Sequence, residues 1–170
     1  AQHAGDNFVF QAFGESCQIG PQGIKLGDTA TTGPKGVIIS LYALQATPDS
    51  CELMPFKAFR EMPDSMPYVG AFAAHAERVL IDQIDGIESH ADRVAQQLKG
   101  SKGSDNDAGD FSLIVYPLPK IALNYIFYRA DDDFPASVTC LFSNNAATFL
   151  PTDALADTAE YTSKKILEIL

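Results

Sequence analysis

Tryptophan is absent from this chain, and the side chains that most often carry chemistry are scarce: three histidines and three cysteines in 170 residues. Cys17, Cys51 and Cys140 are far apart, odd in number and form no C-x-x-C pair. That excludes a disulfide scaffold, and free thiols in a reducing compartment are the simpler reading. His3, His75 and His90 are not at metal-ligand spacing, and no H-E-x-x-H or nucleophile elbow occurs. Gly20, Gly23, Gly27 and Gly33 are scattered through turns and lack the Lys-Ser/Thr ending of a phosphate-cradling loop. No apolar run approaches the roughly 20 residues of a membrane-spanning helix. No charged-then-apolar leader opens the sequence, so the expected location is the cytoplasm. Basic residues are also short, 12 Lys and Arg against 22 Asp and Glu, for a net charge of −10. Binding nucleic-acid phosphates or an anionic membrane surface needs clustered cations, so neither is expected as a partner. No residue pattern names a cofactor or a metal.

What is present is apolar material in ordinary amount, 46% of residues, enough for one α+β domain over residues 1–170. Its densest stretch is residues 111–142. Phe111, Leu113 and Val115 alternate with Ser112, Ile114 and Tyr116, the period of a strand. Ile121, Leu123, Tyr125 and Phe127 do the same, as do Val138, Cys140 and Phe142. Both faces of the middle strand are apolar, which predicts a central strand covered on both sides. Pro117 and Pro119 belong at a strand end or in the connection, because proline cannot donate to a ladder. The short connections favour antiparallel pairing.

Before this stretch, residues 1–6 read as a loose end. Phe8 and Phe10, then residues 16–19 and 24–26, read as short strands of a small meander turned by Gly14-Glu15 and by Gly20-Pro21-Gln22-Gly23. Pro34 fits the first turn of a helix over residues 34–46, with Val37, Ile38, Leu41, Tyr42 and Gln45 on its buried stripe. Residues 51–70 predict one helical turn at the Phe56/Phe59 pair and then a loop. A helical stretch over residues 71–99 carries a predicted break near Asp85-Gly86, and residues 100–110 read as a flexible loop. In the last helix Leu155, Ala159, Thr162, Ile166 and Ile169 form a stripe. Thr152 is placed to cap it, and Glu160 to pair with Lys164. The expected architecture is an antiparallel sheet centred on residues 120–128, packed by these helices and extended by the meander.

Seven residues are candidates for a ligand site. Asn124 is an amide in an apolar strand, and is either a satisfied structural group or a polar group aimed into a pocket. His75 lies one helical step from Phe72, either as a boundary histidine or as a ligand or proton-transfer group. Asp131-Asp132-Asp133 crowds carboxylates in a turn, where they stay solvated or pair with Arg60 or Arg129. Arg60 and Glu61 can satisfy backbone groups of their irregular segment, or join Tyr68, Asp132 and Asp133 in a polar cleft. Cys140 reads as a small core residue.

Several stretches together resemble a known family. They are Phe56-x-x-Phe59-Arg60-Glu61-Met62-Pro63, Tyr68 and Phe72, Pro117-Leu118-Pro119, Asp132-Asp133-Phe134-Pro135-Ala136, Leu141-Phe142-Ser143 and Leu150-Pro151-Thr152-Asp153. Their order and spacing resemble domain of unknown function family 3786, from about Gly5 to the end. The resemblance implies a protein of anaerobic bacterial or archaeal metabolism, and some relatives resemble fusions with a cysteine-rich iron–sulfur segment. The three dispersed cysteines here depart from that pattern and cannot ligate a cluster alone. The resemblance carries over no catalytic residues. Three functions are therefore expected: a non-catalytic small-ligand-binding or accessory protein, preferred; an enzyme using Arg60, Tyr68 and Asp132 or Asp133; or a homodimerisation or assembly domain.

Overall fold

Tight turns set the first third of the chain, in a computed structural model that describes residues 2–103 and 108–170. Strands β1 (Gln2–Ala4), β2 (Asn7–Ala12), β3 (Glu15–Gly20), β4 (Gly23–Leu26) and β5 (Thr29–Ala30) form an antiparallel meander in sequence order. The predicted loose end is thus mostly strand: β1 pairs with β2 across a turn at Gly5, whose φ is +63°. Between β2 and β3 the two turn residues, Phe13 and Gly14, both have positive φ. That matches the twist of the flanking strands. Phe13 in this conformation costs roughly 1–2 kcal/mol. Its fully buried ring offsets that by about 1.5–3 kcal/mol.

Helix α1 (Pro34–Leu44) begins with the expected proline and buries Ile38, Ile39 and Tyr42. Val37, predicted for the buried stripe, is exposed instead. The next segment holds an unpredicted strand, β6 (Lys57–Ala58), and a 3-10 turn at Phe59–Glu61. A helical run follows: α2 (Val69–Phe72), a π-helical turn (Ala73–Glu77), a 3-10 stretch (Arg78–Gln83), α3 (Ile84–Ser89) and α4 (Ala91–Gln97). Near the predicted break at Asp85-Gly86 the helix changes from 3-10 to α geometry at Gln83–Ile84, and Asp85 and Gly86 themselves lie within α3. The departure from α geometry runs over residues 73–83, and a second interruption falls at His90.

The predicted loop after α4 opens with strand β7 (Ser101–Lys102), and its residues 104–107 lie outside the described residues. Gly100 makes this crossing possible. A Cβ there would fall 1.9 Å from the Ile114 carbonyl oxygen. The three predicted strands follow as β8 (Phe111–Leu118), β9 (Ile121–Tyr128) and β10 (Ser137–Phe142). Pro117 lies inside β8, where the register shifts between Val115 and Leu118, so its missing N–H is accommodated at an irregularity. A 3-10 turn (Ala146–Thr148) leads to α5 (Thr152–Ile169), whose predicted stripe is buried. Thr152 does not cap the helix: its hydroxyl donates to the Pro63 carbonyl at 2.6 Å.

The fold is α+β with two antiparallel sheets. The central sheet has the order β6-β10-β9-β8-β7, and β9 is its central strand, as expected. Two-residue strands occupy both edges, and the meander packs as a separate sheet rather than extending this one. The two sheets meet where the Phe13 N–H donates to the Pro117 carbonyl at 2.7 Å.

One face of β9 rests on α5. The Tyr125 hydroxyl bonds to Ser163 Oγ at 2.9 Å, and Ser163 donates onward to the Ala76 carbonyl at 2.7 Å. That outside donor supports a carbonyl within the π-helical turn. The same turn ends at Glu77, whose carboxylate accepts the Cys140 N–H at 3.0 Å. β6 pairs only with Leu141 and Phe142, so β10 is open-edged at Cys140, and Glu77 closes it.

Burial raises the Glu77 pKa above its ordinary value of 4.5, opposed by the Cys140 N–H and by Arg78. A raised native pKa stabilises the fold fully below pH 4.5, and that contribution is lost as pH rises through the native value. Glu77→Gln keeps an acceptor and removes the titration. The difference in melting temperature, variant minus parent, should therefore grow in the variant's favour from pH 4.5 to pH 7. A difference independent of pH would contradict this assignment.

Candidate functional site

The apolar face of the N-terminal sheet is covered at one end and open at the other. The register sets Ile19 opposite Phe8 and Cys17 opposite Phe10. Ala12 and Cys17 are fully buried, whereas Phe8 is 51% exposed. The open end walls a cleft of about 510 Å³. Phe8, Phe10 and Ile19 supply one side, and Tyr42 and Leu44 from the end of α1 supply another. Phe149 and the β8–β9 turn residues Pro119 and Lys120 complete it. The Phe10 and Tyr42 rings lie 5.9 Å apart, tilted by 49°.

Among the described residues lining this cleft, Lys120 alone is charged. Its ammonium donates to the Thr47 carbonyl and sits 5.4 Å from the Phe149 ring centroid, within cation–π range. Burial pushes the Tyr42 hydroxyl up to about 12, against a smaller opposing effect of a hydrogen bond from the Lys120 backbone N–H. Tyr42 is therefore a neutral phenol at the cleft wall. Such a lining can hold and orient an apolar molecule. It offers no carboxylate, imidazole or thiol to move a proton or attack a bond.

A second cleft, of about 280 Å³, lies along α5 and brings together two of the predicted residues, Tyr68 and His75, with Phe72, Asp153, Asp157 and Glu160. His75 Nδ1 is 3.1 Å from Glu160 Oε2, and Lys164 Nζ is 2.6 Å from Glu160 Oε1. Lys164 is the larger cause of the lowered Glu160 pKa, and His75 a smaller one. Asp157 shifts the other way, raised by burial and then by Glu160 and Asp153. The predicted Glu160–Lys164 pair is thus present, and His75 lies exposed at this cleft with its ring bonded to the Glu160 carboxylate. Among the described residues no three His, Cys, Asp or Glu side chains are grouped to hold a metal ion.

The other predicted residues lie elsewhere. Glu61 Oε2 accepts the Ala58 N–H at 2.6 Å, closing its own turn, which is the structural role open to it in the sequence. Arg60 is exposed on that turn and lines neither cleft. Asp132 and Asp133 are exposed, and Asp131 Oδ1 accepts the N–H groups of Asp133 and Phe134 at 2.9 and 2.7 Å. Arg129 pairs with Asp85 and Glu88 rather than with these aspartates. Asn124 is 7% exposed on the face of β9 opposite Tyr125, with Ile114 and Leu141 as its cross-strand neighbours. Its Oδ1 has no hydrogen-bond partner among the described residues, so it is not the satisfied amide that buried polar groups usually are. Cys140 is 1% exposed, a core residue as expected, and burial raises its pKa.

The larger cleft was missed in sequence. Lys120 and Phe149 carry no motif, and their meeting with Phe8 and Tyr42 is a product of tertiary packing. The one available signal was a lone lysine after Pro117-Leu118-Pro119 in the apolar stretch.

The geometry defines an α+β protein with an apolar cleft between its N-terminal sheet, α1 and the β8–β9 turn. The chain belongs to the family described as Domain of unknown function (DUF3786), whose model matches residues 1–165. No curated protein and no solved structure matches the chain. Among the described residues no helix is long and apolar enough to cross a membrane.

An unpartnered buried acceptor costs about 1–3 kcal/mol. Asn124→Leu puts an apolar side chain of similar size between Ile114 and Leu141, and should raise unfolding free energy by roughly 1 kcal/mol. Chemical denaturation measures it. A loss of stability would show that Oδ1 has a partner in solution.

Proposed function

We propose that this chain is a cytoplasmic small-ligand-binding or accessory protein without catalysis of its own. The observation that carries the reading is the cleft of about 510 Å³, whose lining is aromatic and aliphatic with a single ammonium. Small-molecule sites have this composition: apolar walls and a few polar groups that fix orientation, in roughly 300–1,000 Å³. The setting proposed, anaerobic metabolism in support of a metalloenzyme, rests on the family resemblance. The enzyme reading needs Arg60, Tyr68 and an aspartate in one cleft, and it loses support because Tyr68 lines a cleft that Arg60, Asp132 and Asp133 do not.

A second reading is favoured by one observation. Phe8 and Leu44 are 51% and 82% exposed and line the same cleft, the kind of apolar patch a self-association surface presents. Native mass spectrometry with metal analysis, on protein purified anaerobically from its own host, separates the two. The ligand reading expects a monomer mass plus a retained organic ligand, released by denaturation. An apo dimer, concentration-dependent and free of bound species, would overturn it in favour of self-association.

A further inference from the structure

We propose that the cleft beneath the open end of the N-terminal sheet takes an apolar carboxylate, its head group on Lys120 and its hydrocarbon against Phe8, Phe10 and Phe149. This rests on the small-ligand reading above and specifies its chemistry. Lys120 makes no ion pair among the described residues, although the chain carries 22 acidic residues against 12 basic ones. Its partners are a carbonyl oxygen and an aromatic face. An ammonium has three donors, so the Thr47 carbonyl leaves donors for an incoming acceptor.

The surroundings decide which acceptor. The walls are hydrocarbon, where a charge pair is screened less than in water. A neutral apolar molecule would fill the cleft and leave the ammonium without an anion. A small inorganic anion would meet the ammonium and gain nothing from the rings. A cationic amphiphile would be repelled. One molecule with one negative end and an apolar body uses both features. A single charge also suits the chain's net charge of −10, which opposes a polyanion. The Tyr42 hydroxyl, bonded to the Lys120 backbone N–H, keeps its own proton and stands at the same wall.

The test is calorimetric titration of the full chain with decanoate, 1-decanol and decylammonium, each below its aggregation concentration. The proposal expects decanoate to bind with a stoichiometry of one, at least tenfold tighter than decanol, with decylammonium weakest. Lys120→Met should lower decanoate affinity at least tenfold, down to that of decanol on the same variant, and Lys120→Arg should restore the preference for decanoate. The decanol measurement also reports that the variant cleft is intact. Equal binding of decanoate and decanol, insensitive to Lys120→Met, would overturn the carboxylate assignment and leave the small-ligand reading standing. If neither binds, both readings fall, and Phe8→Asp, read by mass, then asks whether the face holds a second copy.

Discussion

The structure depends on covering one strand. Every residue of β9 from Ile121 to Phe127 is buried, and the Tyr125 face belongs to the hydrophobic core, so β9 depends on a layer over that face. On the Tyr125 face the layer is α5 with the π-helical turn. The polar groups there satisfy one another: the Tyr125 hydroxyl bonds to Ser163 and to the Ala159 carbonyl, and Ser163 donates to the Ala76 carbonyl. A buried hydroxyl without a partner would weaken this packing. The departure from α geometry in residues 73–77 is thus matched by a donor from α5. The opposite face carries Ala122, Asn124 and Ile126, and Gly109 lies against Ile126, where a Cβ would come within 2.6 Å of its Cγ2.

A sheet so built has two edges that attract further strands. The chain closes them with two-residue strands, β6 and β7, and with the Glu77 carboxylate where β6 runs out. The meander packs as a second sheet and touches the first at β8, beyond the short pairing of β7, through the Phe13–Pro117 hydrogen bond. Its apolar face is fully buried at Ala12 and Cys17 and half-exposed at Phe8. The cleft lies where the two sheets part, with α1 and Phe149 flanking the gap.

Features set by local periodicity were legible in the sequence. The strand alternation of residues 111–142, the stripe of α5, Pro34 at the helix start and the Glu160–Lys164 pair all depend on neighbours within a few positions. Features set by long-range partners were not. Nothing in Lys57-Ala58 marks a strand, because two residues carry no period. What makes them one is the pairing with Leu141 and Phe142. The π-helical turn at Ala73–Glu77 has its Ala76 carbonyl bonded by Ser163, nearly ninety positions away. The same division runs through the site. Glu61, which bonds three residues back, and the Asp131 turn were readable as structural, whereas Lys120 and Phe149 join Phe8 only in the folded chain.

That division bears on chemistry. The residues that attract attention in the sequence, the aspartate triplet and Arg60, are conspicuous because they are charged, and charge is the property that lets a side chain stay at the surface. The cleft is built from the opposite material. Its specificity, if it resides anywhere, resides in the one ammonium held in place by a carbonyl and a ring. Among the described residues lining it, Lys120 and Tyr42 carry the titratable groups. In the ligand-binding reading proposed above, apolar burial would supply affinity without direction and the fixed charge would supply the direction.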